Sequence, residues 1–271
     1  MKIQSDRRPI GIFDSGVGGL TVFKEIIKEL PSENIIYLGD TARVPYGTRS
    51  PETVMKYSLE NAKFLMSKGI KILVIACNTS SSISLPFLVK NSPVPVVGVV
   101  EPGARAAAIR SKKKKIAVIG TETTIKSSAY AKAINSIDKT IVTKGIACPL
   151  FVPLVEEGWT TGDIVTLTAK RYLSPLKKFR ADVLILGCTH YPMIKHIIAG
   201  VVKIPLIDSA AETAKEVRRI LEENELLRHN SSKPKRDFFV TDAPDKFVQT
   251  GGRFLGHTIS NILRVSIEHE I

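Results

Sequence analysis

Two cysteines of the sequence, Cys77 and Cys188, each end an apolar segment and are each followed by residues that can form hydrogen bonds. A thiol ionises with a pKa of about 8.5, and a helix N-terminus or a neighbouring cation lowers that pKa. One thiolate and one thiol can therefore coexist near neutral pH as a general base and a general acid. If both sulfur atoms face one carbon atom, the first removes a proton and the second returns one to the opposite face. We therefore predict an enzyme that inverts the configuration of a carbon acid.

The segments that carry the two cysteines belong to a series of strands that alternate with helices. Apolar segments at 9–13, 35–38, 72–76 and 94–100 are strand-sized, and 20–30 and 51–68 have helical periodicity. Continuous apolar strands that alternate with helices are typical of a parallel sheet covered on both faces. The sequence therefore predicts an α/β fold.

The same order of strands occurs twice. Segments 116–119, 141–142, 183–187 and 204–207 match 10–13, 35–36, 72–76 and 94–97, at offsets of 106, 106, 111 and 110 residues. This internal repeat predicts two similar α/β domains related by a pseudo-twofold axis, with the active site in the cleft between them. The segments after residue 208 do not fit the repeat, so we assign 1–98 plus 209–271 to the first domain and 99–208 to the second. One long doubly wound sheet is the alternative.

Ligands of parallel α/β sheets bind beyond the carboxyl ends of the strands. Those ends carry acidic residues, both cysteines and short neutral side chains that can hold carboxylates without adding a full charge: Asp14, Ser15, Asp40, Asn78, Thr79, Thr121, Thr124 and Thr189. Cys148 has no equivalent in the other repeat and is predicted to be structural. A zinc site of Cys77, Cys188 and His190 lacks typical ligand spacing, so no metal is expected. No nucleotide-binding glycine motif is present.

The net charge of +13 raises the question of nucleic acid, but the basic residues form short clusters and aromatic residues make up only 6% of the chain. Because bases stack on interleaved aromatic side chains, we do not expect nucleic acid to be the main partner. Residues 1–9 contain no apolar leader, and no apolar run approaches the roughly 18 residues that span a bilayer. With three cysteines and no even framework, a reducing cytoplasm is expected and a membrane is not.

Several motifs resemble the cofactor-independent glutamate racemase family over about residues 9–258. They are Asp14-Ser15-Gly16-Val17-Gly18-Gly19-Leu20, Tyr37-Leu38-Gly39-Asp40 with Pro45-Tyr46-Gly47, Ala76-Cys77-Asn78-Thr79-Ser80-Ser81, Phe151-Val152-Pro153-Leu154-Val155-Glu156-Glu157-Gly158 and Gly187-Cys188-Thr189-His190-Tyr191-Pro192. The resemblance implies interconversion of L- and D-glutamate without pyridoxal phosphate, D-glutamate for peptidoglycan, and a homodimer.

The resemblance also assigns roles to individual residues. Cys77 would exchange the proton of D-glutamate and Cys188 that of L-glutamate, with Asp14 and His190 tuning the two thiols. Asp40 and Glu157 would support catalysis, although Glu156 could take the place of Glu157. The residues expected to hold the substrate are Asp14, Ser15, Pro45, Tyr46, Gly47, Asn78, Thr79, Thr121, Thr124, Thr189 and His190.

Two other functions remain open at this point. One is a different substrate in the same superfamily, as in aspartate racemase or a maleate isomerase-like enzyme; His190 favours glutamate, since aspartate racemases usually have an acidic residue there. The other is a basic protein that binds DNA or gyrase. Family members that a peptidoglycan precursor activates tend to carry a longer segment before the first strand, so the resemblance implies no strong dependence on such an activator.

Overall fold

The computed structural model describes residues 6–229 and 232–267. Residues 1–5 of the predicted charged N-terminus, and residues 230, 231 and 268–271 of the predicted first domain, lie outside this part of the chain. None of the helices in the described ranges is long and apolar enough to cross a membrane.

The strands form two parallel sheets, as the alternation of strands and helices predicted. Within the described residues, sheet A has the strand order β10-β9-β2-β1-β3-β4 and sheet B the order β6-β5-β7-β8. Sheet A consists of β1 (Ile10–Asp14), β2 (Ile35–Gly39), β3 (Ile72–Ile75), β4 (Val96–Gly98), β9 (Arg236–Val240) and β10 (Ile262–Arg264). Sheet B consists of β5 (Lys115–Gly120), β6 (Val142–Ala147), β7 (Val183–Gly187) and β8 (Leu206–Asp208).

The order β2-β1-β3-β4 in sheet A is repeated by β6-β5-β7-β8 in sheet B, which confirms two similar parallel-sheet domains. The strands of sheet A lie before residue 99 and after residue 235, and those of sheet B lie between them. The domain boundaries at 98/99 and 208/209 remain a proposal.

One detail of the predicted repeat is wrong. Ile10 pairs with Ile35 in sheet A, and its equivalent Ile116 pairs with Thr143 in sheet B. The second strand is therefore offset by 108 residues, from 35 to 143, and not by 106. The sequence match failed because β6 is an edge strand that is never fully buried, so its apolar residues do not mark its register.

Helices cover both sheets. They are α1 (Leu20–Glu29), α2 (Pro51–Ser67), α3 (Asn78–Asn91), α4 (Val100–Arg110), α5 (Glu122–Lys126), α6 (Ala129–Ile137), α7 (Phe151–Glu156), α8 (Asp163–Phe179), α9 (Lys195–Val202), α10 (Ser209–Glu223) and α11 (Pro244–Leu255). Local sequence explains where α2 begins: the Ser50 side chain accepts a hydrogen bond from the Thr53 amide, and Pro51 occupies the first turn of the helix.

The two domains share apolar packing. One buried cluster contains Ile12 of β1 and Leu186 of β7, and α10 packs on both α1 and α4. Because buried apolar contacts continue from one domain to the other, the loops at the carboxyl ends of the two sheets are held against each other.

Candidate active site

The carboxyl ends of both sheets meet at one cavity of about 290 Å³. Its lining includes Cys77, which follows β3, and Cys188, which follows β7. The predicted residues that also line it are Ser15, Pro45, Tyr46, Gly47, Asn78, Thr79, Thr121, Thr189 and His190. Of the described residues that we predicted for the site, Asp14, Asp40, Thr124 and Glu157 are not part of this lining.

Cys77 lies at the start of α3, where the chain leaves the buried strand β3. The side chain is 6% exposed, and its Sγ donates to Ser15 Oγ at 3.7 Å. Burial and the nearby charge of Asp14 raise the pKa of Cys77 to about 11, although the Ser80 amide and Ser15 act in the opposite direction. The amides at the start of α3 therefore act to lower this pKa, as expected, but loss of hydration outweighs them and the net shift is upward.

Cys188 lies beside an imidazole. Its Sγ is 3.8 Å from Nδ1 of His190, and Nε2 of the same ring is 2.9 Å from Glu156 Oε1. Burial by itself lowers the pKa of His190, but the hydrogen bonds and charges of Cys188 and Glu156 outweigh burial and raise that pKa to about 10. The surroundings of His190 therefore favour its protonated form, which places a cationic ring beside the sulfur of Cys188.

The carboxylate that contacts His190 belongs to Glu156, so the choice of Glu157 for this position is corrected. Glu156 is the last residue of α7 and is partly buried, whereas Glu157 follows the helix end and is exposed. The charge of His190 also lowers the pKa of Glu156 against the effect of burial. Adjacent residues on a helix point about 100° apart, so only one of the two can reach the imidazole.

Asp14 is fully buried behind the cavity, and its Oδ2 accepts a hydrogen bond from the Gly16 amide at 3.0 Å. Burial raises the pKa of Asp14, and the positive charge on His190 partly offsets that effect. Asp14 thus acts through its charge on both Cys77 and His190, which lie at the two sides of the site.

Asp40 supports the wall of the cavity from behind. It accepts hydrogen bonds from the hydroxyl of Tyr46, from Arg43 Nε at 2.8 Å and from Thr241 Oγ1 at 3.0 Å. Tyr46 is 1% exposed, and it also accepts a hydrogen bond from Asn61 Nδ2 at 3.1 Å. These contacts fix the short 3-10 turn Tyr46–Thr48, which lines the cavity.

Neutral polar side chains from both domains form another part of the wall. Thr79 Oγ1 is 2.9 Å from Thr121 Oγ1 and 3.3 Å from Thr124 Oγ1. Asn78 Oδ1 accepts a hydrogen bond from the Tyr130 hydroxyl at 2.7 Å, and its Nδ2 has no protein partner among the described residues. A buried donor without a partner that lines a cavity is suited to a carboxylate oxygen of a ligand.

Sequence reasoning missed Val44, Thr48, Glu122, Pro149, Val152 and Pro153 in the lining and Tyr130 behind Asn78, and it named Glu156 only as the alternative to Glu157. Val152 and Glu156 are four residues apart on α7, so helical periodicity offered a signal for choosing Glu156. No sequence pattern indicated Tyr130, because its hydrogen bond to Asn78 depends on how α6 packs against the other domain. No group of three or more His, Cys, Asp and Glu side chains that could hold a metal ion occurs in residues 6–229 and 232–267.

Comparison with known proteins agrees with this architecture. A family model described as Asp/Glu/Hydantoin racemase matches residues 10–217. A glutamate racemase of Geobacter metallireducens is 54% identical over 97% of this chain and 98% of its own. Among solved structures, glutamate racemase from Francisella tularensis in complex with D-glutamate is 42% identical with a TM-score of 0.92, covering 97% of this chain and 99% of that one. Glutamate racemase from Thermus thermophilus in complex with beta-chloro-D-alanine is 44% identical with a TM-score of 0.89, covering 97% and 98%.

Two facing α/β domains that each bring a thiol to one cavity are the architecture of a two-base racemase or epimerase. The chain belongs to the Asp/Glu/Hydantoin racemase family, and its relatives place it among the glutamate racemases.

Proposed function

We propose that this protein interconverts L- and D-glutamate by proton transfer between Cα and the thiols of Cys77 and Cys188, without a cofactor. The observation that carries the proposal is that the two cysteines, one from each repeat, line the same cavity of about 290 Å³. The names of the relatives support glutamate over aspartate as the substrate.

The electrostatics of the site support a direction for each proton. His190, whose protonated form is favoured, lies beside Cys188, which we propose as the base, while Cys77, with a pKa of about 11, holds its proton at neutral pH. Cys188 then takes the proton from Cα of L-glutamate, and Cys77 gives its proton to the opposite face of the carbanion. The products are D-glutamate, a Cys188 thiol and a Cys77 thiolate, and exchange of both thiols with solvent restores the starting state.

The substrate carboxylates would lie among donors that carry no full charge. We propose that Asn78 Nδ2, which lacks a protein partner, and the hydroxyl cluster of Thr79, Thr121 and Thr124 bind one or both of them. Ser15, the Tyr46–Thr48 turn and Thr189 would complete the enclosure.

Cysteine-to-serine variants test the proposal. Cys77→Ser and Cys188→Ser should each lose racemisation by at least about a thousandfold, because a serine hydroxyl is a far weaker base than a thiolate. Elimination from a β-chloro amino acid needs only one deprotonation, so Cys77→Ser should eliminate only from the L substrate and Cys188→Ser only from the D substrate. Circular dichroism follows racemisation, and pyruvate release follows elimination from β-chloroalanine.

Cys148→Ser is the matched control, since Cys148 is fully buried and its Sγ contacts the Ile146 carbonyl outside the cavity lining. This variant should racemise glutamate like the wild type. If both active-site variants eliminated from the same enantiomer, or if either racemised glutamate at the wild-type rate, one thiol per face would be the wrong mechanism.

We also propose a cytoplasmic location and a homodimer, as the resemblance implied. All three cysteines are free thiols, which supports a reducing compartment. Light scattering at several protein concentrations tests the dimer: a mass of about one chain throughout would rule it out.

A further inference from the structure

Helix α11 follows strand β9 of sheet A, but it contacts Glu156 and His190, which belong to the domain of sheet B. The ring of Phe254 packs edge-on against His190, with ring centroids 5.6 Å apart and an interplanar angle of 89°. Arg253 Nη2 donates a hydrogen bond to the carbonyl oxygen of Glu156 at 2.7 Å. The charge of Lys246, also on α11, contributes to the lowered pKa of Glu156. One helix therefore reaches both partners in the Glu156–His190 pair.

The contact with Arg253 occurs where α7 needs a hydrogen-bond donor. The last carbonyl groups of a helix have no partner within the helix. After α7, the amides of Glu157, Gly158 and Trp159 turn back to carbonyls at Pro153, Val155 and Leu154. The Glu156 carbonyl instead accepts from the Arg253 guanidinium, so a side chain of the other domain caps this helix.

Gly158 makes the close approach of Arg253 possible. Its φ is +83°, a conformation that favours glycine, and a Cβ at this position would overlap Arg253 Nη1. Any larger residue would push the guanidinium away from α7. The chain therefore has two independent features, a donor and a glycine, that fit this interdomain contact.

We propose that Arg253 is a positioning residue, which caps α7 across the domain boundary and thereby holds Glu156 against His190 and His190 against Cys188. The proposal rests on the proposed function, in which Cys188 is a base. Separation of the domains would break the contact, release α7 and move Glu156 and His190 away from Cys188, so Cys188 would be fully effective as a base only while the domains are docked.

The charged groups around the pair are consistent with this role. His190 faces Cys188, Glu156 and the buried Asp14, while Glu156 is also near Lys246 and Arg253. Lys246 acts on Glu156 through charge alone. Arg253 instead donates a hydrogen bond to the backbone carbonyl of Glu156 and so holds the backbone from which the Glu156 side chain extends. Loss of Arg253 should therefore affect Cys188 selectively and leave Cys77, which contacts Ser15, unchanged.

The test compares alkylation of the two cysteines in Arg253→Met, Arg253→Lys and the wild type. Iodoacetamide reacts with thiolates, and mass spectrometry of the peptides measures each cysteine separately at pH 7.5. Arg253→Met keeps an apolar stem but has no donor, so alkylation of Cys188 and kcat should both fall about tenfold, with KM changed less than about twofold. Arg253→Lys keeps a cationic donor and should recover most of both rates. Arg110→Met, at the exposed end of α4, is the control and should match the wild type.

Gly158→Ala is a second variant that displaces Arg253 without altering it, and it should also slow Cys188 selectively. If alkylation of Cys77 and of Cys188 were slowed equally in the two variants, the fold would be loosened in general, and this result would overturn the proposal. Unchanged alkylation of Cys188 would overturn it as well. Alkylation does not depend on turnover, so an enzyme that fails to racemise glutamate but shows the selective effect would contradict only the proposed function.

Discussion

Cys77 and Cys188 occupy equivalent positions in the two repeats but have different charged neighbours. Asp14 lies near Cys77 and disfavours its thiolate, whereas the cation His190 lies next to Cys188. In the proposed reaction from L- to D-glutamate, this difference in charged neighbours fits Cys188 as the base and Cys77 as the acid.

The role of Glu156 gives a prediction at the scale of single residues. Glu156→Gln removes the negative charge that stabilises the His190 cation, so the pKa of His190 should fall from about 10 towards its ordinary value. A hydrogen bond to a charged group contributes about 1.5–3 kcal/mol, so kcat should fall about 10- to 100-fold. NMR titration of the histidine ring measures the first effect and steady-state kinetics the second.

Glu157→Gln is the matched control, because it makes the same chemical change at the exposed neighbouring residue. Its kcat and its His190 titration should equal those of the wild type. A larger effect at residue 157 than at residue 156 would contradict the geometry of α7.

At the scale of elements, each strand must be fixed along its length for its carboxyl end to place a side chain in the cavity. Lys71 directly precedes β3, which ends near Cys77, and its side chain is fully buried. Its Nζ forms an ion pair with Glu33 at 2.6 Å and donates to the Leu226 carbonyl at 2.6 Å and the Asp6 carbonyl at 3.1 Å. One buried ammonium therefore joins the start of β3 to the segments before β2, before β1 and after α10.

Lys71→Met should lower the free energy of unfolding by about 3–5 kcal/mol, because it leaves the carboxylate of Glu33 buried without its cation. Urea denaturation followed by circular dichroism measures the change. Adding Glu33→Gln should recover part of the loss, since the neutral amide costs less to bury. Lys63→Met, at an exposed position of α2, is the control and should stay within about 0.5 kcal/mol of the wild type. If Lys71→Met lowered the free energy of unfolding no more than Lys63→Met does, the ion pair would not hold these segments together.

At the scale of the whole molecule, the duplicated fold supplies both faces of the proposed reaction. The hydroxyl of Tyr130, in the domain of sheet B, donates a hydrogen bond to Asn78 at the start of α3, in the domain of sheet A. In the same way, the hydroxyl of Thr21 on α1 donates a hydrogen bond to the Thr189 carbonyl at 3.0 Å. Gly47 packs so closely on Thr121 that a Cβ would lie 2.7 Å from its side chain. The cavity therefore depends on docking of the two domains and would be lost from either domain alone.

Because the proposed reaction uses only proton transfer between thiols and Cα, activity should survive removal of metals and cofactors. After dialysis against EDTA with a reducing agent, the rate of racemisation should remain within about twofold of the untreated enzyme. Oxidation or alkylation of the thiols should abolish it, because the thiolate is the base. A loss on chelation that zinc restores would overturn this expectation.

The fold class and the two cysteines could be predicted from the sequence alone. Strand-sized apolar segments, helical periodicity and the constant spacing of the repeat are local properties, and a parallel sheet places the residue after each strand at one edge. These rules led to Cys77, Cys188 and part of the cavity wall, including Ser15, Asn78 and Thr121. The motifs that resemble glutamate racemases added the substrate, which strand order alone does not determine.

The groups that surround each thiol could not be predicted in the same way, because they depend on how the folded elements pack. The choice of Glu156 over Glu157 depends on how α7 is rotated, and the cap by Arg253 joins residues 97 positions apart in the chain. The register of β6 follows from backbone pairing at an edge where burial gives no pattern. The raised pKa of Cys77 follows from burial and from the charge of Asp14, both of which exist only after folding. Solvation and charge act through space, so sequence spacing does not encode them.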